Sequence, residues 1–114
     1  MINFTLERNI AKLKEFAANN YQACGYESIT VNGTVKNLNI PTGAKYALLE
    51  IESSVTSGVV ARYLETKSTT VSTTVGLGIR DGWWGDITLY GNLAGFQITQ
   101  AQAGTHTLHV QYYK

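Results

Sequence analysis

The sequence predicts a mainly β fold, an antiparallel β-sandwich or jelly-roll-like domain carrying one N-terminal amphipathic α-helix. A helical period is confined to the first twenty residues. Everything after it alternates apolar and polar in short runs separated by Gly-rich turns, and no second helical period follows. With 114 residues the chain suits one domain with a core, so residues 1–22 read as a helical arm and 23–114 as the β domain of a single compact unit.

The helix is predicted from Thr5 to about Asn20. Leu6, Ile10, Leu13, Phe16 and Ala17 recur at spacings of three and four, while Glu7, Arg8, Lys12, Lys14 and Glu15 take the other positions. Thr5 caps its start, Ala11, Ala17 and Ala18 favour the conformation, and Asn19-Asn20 supplies an end. Such a stripe either packs on the sheet of its own subunit or lies in a groove of a neighbouring protein. Glu7 and Glu15 dilute the basic face, which disfavours a membrane-surface role.

Seven segments then read as strands: Ser28–Val31, Val35–Ile40, Lys45–Glu52, Val59–Glu65, Asp86–Tyr90, Gly95–Thr99 and Thr105–Tyr113. Asn32-Gly33 reads as a tight hairpin turn joining the first two, because a type I′ turn needs positive φ at both central positions. Pro41-Thr42-Gly43 marks a turn before the third. In that strand Ala47, Leu49 and Ile51 face the core, while Tyr46, Leu48, Glu50 and Glu52 form the wet face. In the last strand Leu108, Val110 and Tyr112 are the expected core set. The Ser/Thr-rich stretch Thr66–Gly76 reads as a long surface loop or an extended edge.

Charged residues make up 15% of the chain, against roughly 25% in ordinary domains. A net charge of +1 gives no field for holding a polyanion, which argues against nucleic-acid binding by a basic face. Twelve of the seventeen charges fall in residues 1–65 and five in 66–114, with none between Ile87 and Tyr113. That stretch is too rich in Thr, Asn, Gln, Gly and His to cross a bilayer. A neutral β-rich half is better accommodated inside an oligomer or larger assembly than in water. Met1–Arg8 lacks the pattern of a secretory signal, so the expectation is an unprocessed protein made in the cytosol.

Little in the sequence spells out a reaction, and no cofactor is expected. Cys24 is the sole cysteine, which excludes an internal disulfide and any zinc site needing two cysteines of one chain. His106 and His109 lie three apart on a strand and so face opposite ways, unable to share a metal. Glu50 with Glu52, and Asp81 with Asp86, read as solubilising groups, and phosphate-loop, nucleophile-elbow and zinc-helix motifs do not occur. The chain is therefore expected not to be an enzyme. The most individual stretch is Arg80-Asp81-Gly82-Trp83-Trp84-Gly85-Asp86. It reads either as a sugar-stacking platform with Asp81 and Asp86 accepting from hydroxyls, or as one tryptophan plugging the domain and the other packing on a neighbouring subunit.

Ile40–Glu52 with its Pro41-Thr42-Gly43-Ala44 turn, Val60-Ala61-Arg62-Tyr63, Gly76-Leu77-Gly78-Ile79 and the closing Leu108-His109-Val110-Gln111-Tyr112-Tyr113 together resemble a group of small tailed-bacteriophage virion proteins. Where such proteins follow the Arg-Tyr strand with an Asp-Gly-Thr and a Pro-Thr turn, this chain has Glu65-Thr66-Lys67 and Ser68–Thr74, so nothing is carried over to that loop. The resemblance implies a non-enzymatic virion component, first of all a capsid decoration (cement) protein. It would act as a homotrimer bound to the major capsid protein or other virion proteins, with no nucleic-acid or membrane partner. A head-fibre, neck or tail accessory component is the nearest alternative, and a carbohydrate-binding module the more distant one. On the virion reading, Leu6, Ile10, Leu13, Phe16, Val35, Leu38 and Ile40 are the candidate capsid or subunit contacts. Asp81, Trp83, Trp84 and Asp86 are the candidate interface or glycan contacts.

Overall fold

A computed structural model describes residues 21–88 and 93–114. The predicted helix, with Leu6, Ile10, Leu13 and Phe16, lies outside the described residues, as does Tyr90. Eight strands are described: β1 (Ala23–Val31), β2 (Lys36–Asn37), β3 (Tyr46–Ser53), β4 (Ala61–Leu64), β5 (Leu77–Ile79), β6 (Trp84–Thr88), β7 (Gln97–Gln100) and β8 (His106–Tyr113). They form two four-stranded antiparallel sheets, ordered β1-β8-β3-β6 and β2-β7-β4-β5.

One apolar core takes side chains from both sheets. The first contributes Ile29, Val31, Ala47, Leu49, Ile51, Leu108, Val110 and Tyr112, and the second Ala61, Ile79 and Ile98, with Leu93 and Phe96 from the approach to β7. Period-two alternation puts them there: Ile51 faces Leu108 and Leu49 faces Val110 across the β3–β8 ladder. Each such side chain contributes about 1.5–3 kcal/mol by leaving water. The core set expected for β3 and β8 is the one observed.

Three readings need correction. Tyr46 belongs to the outer face of β3 yet is 6% exposed, because Tyr21 and Tyr113 cover it. Of the candidate contacts, Leu38 is 9% exposed and belongs to the core, Ile40 packs against the same core and Val35 is half-buried. β5 is not among the strands read in the sequence. It fits beside β4 because Gly76 and Gly78 lack side chains: a Cβ on Gly76 would stand 2.9 Å from Val71 Cγ2, and one on Gly78 3.1 Å from both Val59 methyls.

Asn32-Gly33 closes no hairpin. β1 pairs with β8 and β2 with β7, so the chain crosses between sheets at this point. Asn32 makes the crossing stable: its Oδ1 accepts from Thr34 N (2.9 Å), and its carbonyl accepts from Gln100 N (2.9 Å) and Thr99 Oγ1 (3.0 Å). An Asx turn tied to β7 therefore replaces the ladder that a type I′ turn would have started.

The Ser/Thr-rich stretch is a surface loop held from below. Gln97, 4% exposed, donates through Nε2 to Thr66 O and Thr69 O (2.6 Å each) and accepts at Oε1 from Val71 N (3.0 Å). Arg62 adds bonds to Thr73 O (2.9 Å) and Gly76 O (3.0 Å). Gln97→Leu would leave the three backbone partners of Gln97 without it. A loss of about 2 kcal/mol in urea unfolding is expected, with faster proteolysis between Thr66 and Val75; an unchanged midpoint would show that the loop holds itself.

Candidate functional site

Two recesses stand out, one on the outer face of the first sheet and one where the two sheets part beside β6.

The outer recess is a groove of about 320 Å³ lined by Tyr26, Leu48, Glu50, His109, Gln111 and Tyr113. The register sets these residues on one face, with Glu50 opposite His109 and Leu48 opposite Gln111. Beside the groove the Tyr46 ring packs with Tyr113 and Leu48, lying 5.6 Å from the Tyr21 ring and donating from Oη to Asp86 Oδ2 (2.5 Å). His109 Nε2 donates to Glu52 Oε1 (2.6 Å), because a carboxylate can only accept. Its Nδ1 is hydrogen-bonded to Tyr26 Oη (2.6 Å). This phenol–imidazole–carboxylate chain ties β1, β8 and β3 together, although Tyr26 is 59% exposed and the tie is correspondingly weak.

His106 points the opposite way and is fully buried. Its Nε2 donates to Gln102 O (2.8 Å) and its Nδ1 accepts from Ser53 Oγ (2.8 Å). The two histidines thus occupy opposite faces, as their spacing requires. Among the described residues no three His, Cys, Asp or Glu side chains are grouped to hold a metal. Cys24 is half-buried and packs against the core.

The second recess, about 190 Å³, is lined chiefly by Tyr63, Glu65, Trp83, Trp84, Asp86 and Phe96. A short turn builds it. Trp83 N donates to Arg80 O (3.0 Å), Gly82 takes φ 82° and donates to Ile51 O (3.1 Å), and Trp83 O accepts from Ile51 N (2.9 Å). Positive φ favours glycine at that corner. Trp83 is thereby laid against the core, its ring 5.1 Å from that of Tyr63, which in turn stacks 5.8 Å from Phe96. Trp84 starts β6 and pairs in register with Glu50 on the outer face.

The structure therefore brings Trp83, Trp84 and Asp86 together but not Asp81, whose Oδ1 accepts from Ser53 N (2.8 Å). Tyr63, Glu65 and Phe96 were missed by sequence reasoning. Inward alternation from Ala61 would have flagged Tyr63, but nothing in the sequence says that β4 ends beside β6. Burial, then the charge of Asp86, raises the Glu65 pKa, and burial followed by the Glu65 charge raises that of the Tyr63 hydroxyl.

Comparisons with protein-family models, curated proteins and solved structures give no match. What the chain does has to be argued from its own residues.

Gly85 is the hinge pin of the second recess, since a Cβ there would stand 2.5 Å from Trp83 Cζ2. Gly85→Ala should displace the indole and destabilise the domain by about 1–3 kcal/mol, with a changed tryptophan signal in near-ultraviolet circular dichroism. An unaltered signal would mean that the ring does not rest there.

Proposed function

We propose that this chain is a non-enzymatic structural component of a tailed-bacteriophage virion, a decoration protein that binds the outside of the capsid as a homotrimer. The observation that carries the reading is the strand pairing. β1 pairs with β8, β2 with β7, β3 with β6 and β4 with β5. That is the pairing of one long two-stranded ribbon folded over on itself, its segments alternating between two sheets, and it supports reading the domain as a jelly-roll sandwich. The architecture is shared by viral capsid and lectin domains. Fold alone does not confer function, so the reading draws equally on the resemblance in Ile40–Glu52, Val60–Tyr63 and Leu108–Tyr113.

The surface chemistry supports an assembled role. The outer face of the first sheet presents Tyr26, Leu48 and Tyr113 around its groove, and Val75 (40% exposed) and Leu77 (58%) leave apolar surface near the β5 edge. Edges and apolar patches of this kind are protected when covered by other subunits. Covering them at a capsomer junction stabilises the assembled shell by mass action, because the decoration protein binds the intact lattice and not its dissociated parts. Synthesis in the host cytoplasm followed by residence on the virion completes the reading.

Virions lacking the protein are expected to lose their genome at a lower temperature and after a smaller dilution of salt than complete ones, and adding the purified protein back should restore survival. The protein should be present at a copy number near that of the capsid subunit. Equal survival with and without it would overturn the decoration role, and a few copies per particle would move the assignment to a head-fibre, neck or tail position.

A further inference from the structure

We infer that the groove on the outer face of the first sheet receives an arginine side chain of a second protein, its guanidinium paired with Glu50 and stacked on the Tyr26 ring. The feature that calls for it is a carboxylate set in a largely apolar groove with nothing to pair with.

Glu50 is half-buried in the groove wall, and no described residue offers it a hydrogen bond or a cation. Its neighbour across the β3–β8 ladder is His109, which is bonded to Glu52 and Tyr26 instead. A carboxylate drawn part-way out of water and left unpaired gains more from an arriving cation than one on open surface does. The surrounding face has the matching sign. Its outward positions on β1, β3, β6 and β8 include Glu50, Glu52 and Asp86 and, among the described residues, no lysine or arginine. Cations are therefore drawn to this face and anions turned away.

The apolar lining selects among cations. Tyr26 is 59% exposed, and among the described residues its ring meets only that of His109, 6.1 Å away between centroids, so its other face is open. Its hydroxyl reaches across to His109, the residue opposite Glu50, so phenol and carboxylate converge on the groove from its two sides. A guanidinium uses both: its plane stacks on an aromatic face, and its edge gives two parallel N–H bonds to a carboxylate. An ammonium is a compact, strongly hydrated charge that fits neither feature as well. Leu48 and Tyr113 line the path for the methylene stem, and Gln111, whose Nε2 donates to Gly25 O (2.8 Å), keeps its Oε1 as a further acceptor. A volume of about 320 Å³ is near the small end of the roughly 300–1,000 Å³ of ligand sites, which suits one side chain rather than a whole helix. The site does not require the second protein to be a capsid subunit.

The test titrates the full chain at pH 8 and low salt with the capped peptides acetyl-Gly-Arg-Gly-amide and acetyl-Gly-Lys-Gly-amide and with guanidinium chloride, following backbone amide shifts. The arginine peptide should saturate about fivefold more tightly than the lysine peptide, with shifts gathered at Tyr26, Leu48–Glu50 and His109–Gln111. Glu50→Gln, an outward and isosteric change, should melt like the parent and weaken the arginine peptide about fivefold. Glu52→Gln should leave its affinity unchanged, because that carboxylate is already bonded to His109. Failure of the arginine peptide to saturate would overturn the inference. So would full affinity in Glu50→Gln, equal weakening in Glu52→Gln, or equal affinity for the lysine peptide or guanidinium chloride. Binding that appears only in Arg8→Gln would put this chain's own arginine in the groove, and a native mass that rises with concentration in the parent but not in Glu50→Gln would put a second copy there; either result overturns the assignment to another protein.

Discussion

β8 lies between β1 and β3, so eight residues near the end of the chain carry two ladders of the first sheet at once. Its inward side chains, His106, Leu108, Val110 and Tyr112, floor the shared core, and its outward ones, His109, Gln111 and Tyr113, line the outer groove. Removing it would leave β1 and β3 without a common partner and open both faces. The chain fastens this arrangement beyond the strand: Gln22 and Lys114 exchange backbone hydrogen bonds of 3.0 and 2.8 Å. Apart from the consecutive pair β4–β5, the ladders join strands far apart in sequence, a long-range topology in which loop-closure entropy weighs against early pairing.

The polar groups drawn into the core show how that closure is made tolerable. Glu27 stands opposite Val110 on the inward face of β1 and would be costly there alone. It accepts from Asn39 N (2.9 Å), Asn39 Nδ2 (3.0 Å) and the Tyr112 hydroxyl. The same contact, with burial as the larger cause, raises the Tyr112 pKa. Gly25, at the irregularity in β1, leaves room for Pro41, since a Cβ there would sit 2.9 Å from the proline Cγ. The buried polar side chains Gln97, Thr99 and His106 are also hydrogen-bonded, and each ties a loop to a strand. These bonds do more to specify which loops lie where than to add net stability.

How much was legible follows from the range of each signal. β3 and β8 alternate cleanly over eight residues apiece, and their inward and outward sets could be read directly. β5 has three residues and two neighbouring glycines, so its pairing depends on space left by Val59 and Val71 rather than on any pattern of its own. Asn32-Gly33 misled because turn propensity is local, whereas the Asn32 carbonyl is bound by β7, some seventy residues away. The recess beside β6 was half legible for the same reason. Trp83, Trp84 and Asp86 are adjacent in sequence and announce themselves, but Tyr63, Glu65 and Phe96 reach them only through the packing of one sheet on the other.

The most direct test of β8 as the organising strand is native-state amide hydrogen exchange across the chain. The slowest amides should be those of Leu108–Tyr112 together with their partners in β1 and β3, exchanging as one cooperative unit near the global unfolding free energy. Fast exchange throughout β8, at rates like those of the Thr66–Thr74 loop while β4 and β7 stay protected, would contradict the account and place the stable nucleus in the second sheet.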